Sequence, residues 1–134
     1  MRLRPMVDAD GPAFEAGFSS IGWSKPCAQF EAYLAEEAAG ERWVCVAERD
    51  GAPIGYVTVL WESTDPSFRA ASIPEVLDLN VLPRARRSGV GSQLMSAAEA
   101  AVRARAPEVG LRVGLHPGYG AAQRLYIRRG YIPD

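Results

Sequence analysis

The sequence predicts a mixed α/β fold, and three observations lead to it. The 134 residues are enough for one domain with a sizeable core, so residues 1–134 are expected to form a single domain. Strand and helix patterns follow one another in the order β-α-α-β-β-β-α-β-α-β. Asp50-Gly51 is a hairpin signal between two apolar strands. This order indicates an antiparallel front half of the sheet and one parallel βαβ crossover behind it.

The first part of the chain predicts one strand and two helices. Residues 1–6 are expected to form a short first strand. The first helix contains the apolar residues between Pro12 and Phe18, and Asp8 or Asp10 is expected to cap it. The second helix covers residues 26–40, because a proline opens it and a glycine ends it.

Three strands and a polar connection are predicted for the middle of the chain. Residues 43–47 and 54–61 are rich in β-branched and aromatic residues, which favours strands on either side of the Asp50-Gly51 turn. Residues 62–74 are polar and are expected to form a loop. The next strand covers residues 75–82.

In the last part of the chain, two helices and two strands are predicted to alternate. A helix is expected over residues 89–106, with its apolar residues on one face. A strand over 111–115 and a helix over 120–129 follow. Tyr131 begins another strand, close to the last residue of the sequence.

Composition excludes several classes of protein. The chain is 48% hydrophobic and 23% charged with a net charge of −1, which argues against an extended nucleic-acid surface. No run of about 20 apolar residues is present, so no membrane span is expected. Cys27 and Cys45 are too few for a disulfide framework. A cytoplasmic protein without a metal site is expected.

The stretch from Leu77 to Gly91 is the most informative part of the sequence. An apolar strand runs into a basic loop with two glycines, and this loop runs directly into a helix. The N–H groups at a helix start lack internal partners, and the helix dipole adds positive potential there. Gly89 lets an anion approach the backbone, and Arg86 and Arg87 add forked donors. The pattern predicts a binding site for a phosphate-rich ligand.

Two better-known phosphate loops do not fit this stretch. A Walker A loop requires Lys and then Ser or Thr after its last glycine, whereas Ser92 and Gln93 follow Gly91. A dinucleotide fingerprint requires a third glycine at the position of Leu94. The remaining pattern is Arg-x-x-Gly-x-Gly from Arg86 to Gly91, directly after a strand.

This pattern resembles motif A of the GNAT superfamily, the acetyl-CoA-dependent N-acetyltransferases. A second stretch, from Ala122 to Tyr131, resembles motif B of the same family. The family often has Asn where this chain has Tyr119. The resemblance covers essentially the whole chain and implies a GNAT-like fold whose C-terminal strand pair is incomplete. We therefore expect one or two further strands beyond Asp134, or a second subunit that covers the edge in a homodimer.

The resemblance implies acetyl-CoA as the cosubstrate, with its pyrophosphate on the motif A loop. The backbone N–H that meets the thioester carbonyl is expected at Val81 or Asn80. The full set of expected CoA-binding residues is Asn80, Val81, Arg86, Arg87, Ser88, Gly89, Val90, Gly91, Ser92 and Tyr126.

The resemblance also implies catalytic residues. Tyr126 matches the tyrosine that protonates the departing sulfur, and an ordinary phenol stays protonated at neutral pH. Glu75 lies eleven residues before Arg86, where some family members carry a carboxylate base. Asp78 and His116 are alternative bases, although strand alternation predicts Asp78 on the opposite face from Glu75.

Together these features predict an N-acetyltransferase that acts on a primary amine by direct attack in a ternary complex. The acceptor is either a small molecule or a peptide. Trp23 and Trp61 are the aromatic residues expected in the wall of its pocket. Two other classes stay open: a GNAT-like module that binds CoA without catalysis, and a nucleotide- or phosphate-binding protein unrelated to CoA.

Overall fold

A computed structural model describes residues 1–112 of the chain. The predicted helix at 120–129 and the strand that begins at Tyr131 lie outside the described residues. His116, Tyr119 and Tyr126 lie outside them as well.

The described residues form five strands and four helices, and their order matches the prediction except for one additional short helix between the third and fourth strands. The strands are β1 (Arg2–Arg4), β2 (Arg42–Arg49), β3 (Ala52–Leu60), β4 (Glu75–Val81) and β5 (Gly110–Leu111). The helices are α1 (Asp10–Ser19), α2 (Cys27–Ala38), α3 (Pro66–Ala70) and α4 (Val90–Arg103). None of the helices within residues 1–112 is long and apolar enough to cross a membrane.

The strands form one mixed sheet in sequence order, β1-β2-β3-β4-β5. The first four strands pair antiparallel, and β4 pairs parallel with β5. Asp50 and Gly51 connect β2 to β3 with φ angles of 53° and 79°, the left-handed backbone that a tight hairpin turn requires. The predicted mixed α/β fold, with an antiparallel front half and one parallel crossover through α4, is confirmed.

The sheet has a helical layer on each face. On one face, α1 and α2 cover an aromatic cluster in which Phe14, Phe30 and Tyr56 have ring centroids 5.0–5.4 Å apart. On the other face, α4 packs Leu94 and other apolar side chains over the middle strands. Burying large rings on one face and aliphatic groups on the other fixes which way each strand residue points.

Two local predictions are wrong. The segment predicted as a loop contains the short helix α3, whose first N–H groups are capped by the side chain of Asp65. Neither Asp8 nor Asp10 caps α1, since its N-cap is Ala9 without a side-chain bond. Asp10 is instead buried and pairs with Arg4 at 2.7 Å.

Strand β4 contains a bulge that the sequence pattern did not predict. Thr58 pairs with Leu77 and Tyr56 pairs with Asn80, so two residues of β4 lie opposite one residue of β3. Asp78 has a φ of 57°, which is rare outside glycine and tolerated best by Asp and Asn. The bulge turns the Asp78 side chain towards α2. Val76 packs on the face covered by α4, so by alternation its neighbour Glu75 points to the α2 face as well. The predicted placement of Asp78 opposite Glu75 is therefore wrong.

Candidate active site

The motif A loop connects β4 to α4 through one short 3-10 turn at Pro83–Ala85. Arg87 and Gly89 both adopt left-handed backbone, with φ angles of 64° and 82°. Gly89 is the N-cap of α4, and a Cβ added there meets no atom within 4 Å. The space in front of the helix start is therefore open, and the glycine serves the backbone conformation that exposes it.

The two arginines of the loop are exposed, as a ligand-binding role requires. The Arg86 guanidinium lies 5.3 Å from the ring centre of Trp23, and its Nε donates to the Val81 carbonyl at 3.1 Å. Trp23 in turn stacks on Phe18 of α1. The connection between α1 and α2 thus contacts the loop that is predicted to bind an anion.

The remaining loop residues serve the loop itself. Ser88 Oγ donates to the Ala85 carbonyl at 2.5 Å and stabilises the turn. The Val90 side chain, at the start of α4, is buried in the hydrophobic core, so only its backbone is available to a ligand at the helix start. Gly91 follows in the first turn of α4, where N–H groups have no partner within the helix.

A dense polar cluster surrounds Asp78 at the bulge of β4. Its Oδ2 accepts from Gln29 Nε2 at 2.9 Å, Tyr33 OH at 2.6 Å and Tyr56 OH at 2.9 Å. Its Oδ1 accepts from Lys25 Nζ at 3.0 Å and Asn80 Nδ2 at 2.6 Å. We call these six residues the Asp78 cluster. Five donors fill the acceptor positions of one carboxylate, so a further donor enters only by replacing one of them.

The tyrosines of the Asp78 cluster remain neutral donors. Burial raises the pKa of Tyr33 and of Tyr56 above the ordinary phenol value, and the nearby charge of Asp78 raises both further. The Arg42 guanidinium lies 4.4 Å from the Tyr33 ring centre and also donates to Thr58 at 2.7 Å. These contacts tie α2 to the sheet and hold the cluster in place.

Glu75 occupies the other end of β4 and is only 1% exposed. Its Oε1 accepts from Ser63 Oγ at 2.7 Å, and Arg112 Nε donates to its Oε2 at 2.7 Å. The hydrogen bond with Glu75 is the main cause of the raised pKa of Arg112. Glu75 is therefore a buried carboxylate, and both of its oxygens accept hydrogen bonds from Ser63 or Arg112.

Asn80 and Val81, the expected contacts of the thioester, lie on β4 between Asp78 and the loop. Asn80 Nδ2 also donates to Tyr56 OH at 3.1 Å, and Val81 pairs with Gly55 of β3. Within the described residues, β5 pairs only with Glu75 and Val76 of β4. Asp78, Asn80 and Val81 thus lie at the end of β4 that leads into the motif A loop. Glu75 lies at the opposite end of the same strand.

Several residues near this run were missed by sequence reasoning. They are Lys25, Gln29, Tyr33 and Tyr56, which contact Asp78, and Arg112, which contacts Glu75. The one signal that the sequence offers is that Lys25 is its only lysine. Residues 1–112 contain no group of three or more His, Cys, Asp or Glu side chains suited to a metal ion.

Trp23 and Trp61, the expected wall residues, line separate concavities. Trp23 and Lys25 line a cleft of about 510 Å³ between α1 and the connection to α2. Trp61 lines a smaller one of about 280 Å³ beside α3, and the Arg105 guanidinium lies 3.9 Å from its ring centre. The larger cleft is the one that adjoins both the Asp78 cluster and Arg86.

Comparisons with solved structures agree with this architecture. A GCN5-related N-acetyltransferase from Ralstonia eutropha is 26% identical, with a TM-score of 0.68 over 99% of this chain and 93% of that one. A ribosomal-protein-alanine N-acetyltransferase from Brucella melitensis is 24% identical, with a TM-score of 0.74 over 97% and 83%. An aminoglycoside N-acetyltransferase in complex with CoA is 18% identical, with a TM-score of 0.75 over 98% and 92%. No curated protein matches the chain.

A family model provides the decisive comparison. The model described as an acetyltransferase (GNAT) domain matches residues 40–133, well over half of the chain. The match includes β4, the glycine loop and α4, and it continues through the stretch that resembles motif B. The solved structures share the overall fold of the chain. The chain therefore belongs to the GNAT family of acetyltransferases and is an acyltransferase.

Proposed function

We propose that this enzyme transfers an acetyl group from acetyl-CoA to a primary amine by direct attack in a ternary complex. The observation that carries the proposal is the open, glycine-capped start of α4 beside two exposed arginines. Such a site suits a pyrophosphate, because backbone N–H groups, the helix dipole and guanidinium forks all favour an anion. A protein of the same fold was solved with CoA, which supports this ligand.

Different residues of the chain bind different parts of acetyl-CoA. Arg86 and Arg87 neutralise the pyrophosphate, and the backbone from Ser88 to Ser92 donates to its oxygens. A backbone N–H at Val81 or Asn80 meets the thioester carbonyl and stabilises the charge that develops on its oxygen. Because the Arg86 guanidinium contacts the Trp23 ring, binding of CoA by Arg86 also involves the α1–α2 connection.

Transfer also requires a proton donor and a proton acceptor. Tyr126 is the proposed donor to the departing sulfur. Glu75 is the proposed base at the position that the family resemblance implies, and Asp78 is the second candidate. One observation favours Asp78, since an amine nitrogen of the chain itself, Lys25 Nζ, lies 3.0 Å from its carboxylate. An ammonium has no lone pair, so a carboxylate that contacts it is well positioned to take its proton.

The proposed acceptor is a cationic amine, either of a small molecule or of a peptide. Two structural neighbours are named for one acceptor of each kind, an aminoglycoside and a ribosomal-protein alanine. Asp78 supplies the negative charge that such an amine requires, and the cleft beside Lys25 opens to solvent.

A thiol-release assay tests the proposal. The chain is incubated with acetyl-CoA and a panel of polyamines, aminoglycosides and peptides with free N-termini or lysines. We expect release of CoA thiol that depends on at least one amine. CoA binding without release for any amine would favour a non-catalytic module instead. Displacement of CoA by ATP or NAD at equal concentration would contradict acetyl-CoA as the cosubstrate.

A further inference from the structure

Lys25 is the only lysine among the fifteen Lys and Arg residues of the chain. It lies on the connection between α1 and α2, and its Nζ contacts Asp78 Oδ1 at 3.0 Å. An arginine would pair with a carboxylate at least as well, because its fork offers two parallel donors. What a lysine offers in addition is an amine that can lose a proton and become acylated.

We propose that Lys25 is a self-acetylation site: when acetyl-CoA is bound and no acceptor is present, the chain acetylates its own Lys25 Nζ. This inference rests on the proposed function, which puts the thioester carbonyl at the backbone of Asn80 or Val81. The new element is the amine, which belongs to the chain itself.

The position of the amine supports this site. Lys25 Nζ and Asn80 Nδ2 donate to the same oxygen of Asp78, at 3.0 Å and 2.6 Å. The amine therefore lies against the segment of β4 that is expected to bind the thioester. The bulge produces this arrangement, since it turns Asp78 to the face where α2 and the connection before it lie.

The freedom of the side chain supports it as well. Lys25 precedes Pro26 on a connection outside both helices, and it lines the open cleft of about 510 Å³. Its side chain is 20% exposed. A lysine with four rotatable bonds at the edge of a cleft can shift towards a bound thioester without moving a helix.

The reaction balances with the groups that are present. The Lys25 ammonium gives one proton to Asp78, and the neutral nitrogen attacks the thioester carbonyl carbon. A C–N bond forms and the C–S bond breaks. The nitrogen loses its second proton as the sulfur leaves as a thiol, so the net products are the amide, CoA thiol and one proton that passes from Asp78 to water.

Acetylation would change the site without unfolding it. The amide is neutral, so Asp78 loses its only cationic partner among the contacts described. Gln29, Tyr33, Tyr56 and Asn80 continue to donate to it. The position left by the Lys25 ammonium becomes open to the ammonium of an acceptor.

The test follows acetylation of Lys25 over time by peptide mass mapping, with acetyl-CoA and no added amine. The Arg103→Lys variant supplies an internal reference, because Arg103 is an exposed residue of α4 with a side chain 71% exposed. The introduced lysine reports uncatalysed acetylation in the same sample. We expect Lys25 to react at least about tenfold faster, since a positioned base contributes about 10²–10⁴-fold.

Two further measurements separate catalysis from mere proximity. The rate at Lys25 should not depend on protein concentration, because one protein molecule holds both the bound acetyl-CoA and the amine. Asp78→Asn should remove the excess rate while CoA affinity by calorimetry stays the same, since Asn tolerates the left-handed backbone at this position.

Lys25 that stays unmodified, or reacts no faster than the introduced lysine, would overturn the inference. So would a rate that rises in proportion to protein concentration, or an excess rate that persists in Asp78→Asn. If the chain acetylates amines of the panel while Lys25 stays unmodified, only this inference fails. If it neither binds acetyl-CoA nor releases thiol, the proposed function fails with it.

Discussion

At the scale of single residues, the proposed proton donor is the first point to test. Tyr126→Phe keeps an aromatic ring and deletes the hydroxyl. We expect kcat to fall by roughly 10- to 1000-fold, within the range of general-acid contributions, and CoA affinity to change little. Steady-state kinetics with an amine from the panel measures both. A wild-type kcat in this variant would mean that water or another group protonates the thiolate.

The two carboxylates of β4 compete for the role of base. Glu75→Gln keeps the acceptor for Ser63 but removes the charge that Arg112 pairs with. If Glu75 is the base, this variant loses the acidic limb of the pH profile of kcat/KM, because that limb reports protonation of the base.

Asp78→Asn is the matched variant for this comparison. It removes one carboxylate from the same strand and leaves the backbone conformation allowed. An unchanged acidic limb in Glu75→Gln, together with a lost limb in Asp78→Asn, would assign the base to Asp78. An unchanged limb in both would mean that neither acts as the base.

The sequence predicted these site residues unequally. Arg86, Arg87 and Gly89 could be proposed from the sequence, because their spacing is typical of a phosphate loop at a helix start. The Asp78 cluster was not, because its members come from α2, the connection before it, and two strands. Only the packed sheet brings these segments together, and no local pattern encodes their contact.

At the scale of elements, Gly55 shows how tightly β3 and β4 pack. A Cβ at Gly55 would lie 3.0 Å from the backbone carbonyl of Asn80 and 3.3 Å from Leu94 of α4. Because a backbone oxygen in a sheet cannot move aside cheaply, Gly55→Ala should lower the free energy of unfolding by about 1–3 kcal/mol. Urea denaturation measures this loss.

Gly17→Ala is the control for that substitution. Its Cβ would lie 2.7 Å from Leu82 Cδ2, the end of a flexible side chain. Alanine also favours the helix by about 1 kcal/mol relative to glycine. We expect a clearly smaller loss than for Gly55→Ala. Equal losses for the two variants would contradict the view that the backbone contact to Asn80 is decisive.

Most elements were predictable because their patterns are long or strongly marked. The Asp50-Gly51 hairpin and the α4 crossover belong to this group. Helix α3 was missed because five residues are too short to show helical periodicity, although Asp65 followed by Pro66 is a helix-start signal. The bulge at Asp78 was missed because alternation assumes a regular strand, and one extra residue reverses the face of the side chain.

At the scale of the whole molecule, the buried thiol and phenol groups predict that the protein becomes less stable at alkaline pH. Burial raises the pKa of the Cys45 thiol from 9.0 to about 11, and it raises the pKa of Tyr33 and Tyr56 above 10.0. Above these ordinary values the unfolded chain releases protons that the folded chain still holds. The free energy of unfolding therefore falls as pH rises past about 9, whereas these groups have no such effect below it.

Urea midpoints measured across this alkaline range check the prediction. Tyr33→Phe removes one of the retained protons and should make the decline shallower, whatever it does to the stability at neutral pH. A midpoint that stays constant up to pH 11 would contradict the burial of these groups.

Homodimer formation stays a prediction of the sequence, and light scattering checks it.

The central claim is that the loop from Arg86 to Gly91 binds the pyrophosphate of acetyl-CoA. Calorimetric titration of the wild type and a folded Gly89→Val variant, each with CoA and with pantetheine, tests it most directly. Pantetheine lacks the pyrophosphate, and a β-branched side chain at Gly89 forbids the left-handed backbone and fills the open space at the helix start. We predict that the wild type binds CoA far more tightly than pantetheine and that the variant loses this preference. A variant that keeps the wild-type affinity for CoA would contradict the claim.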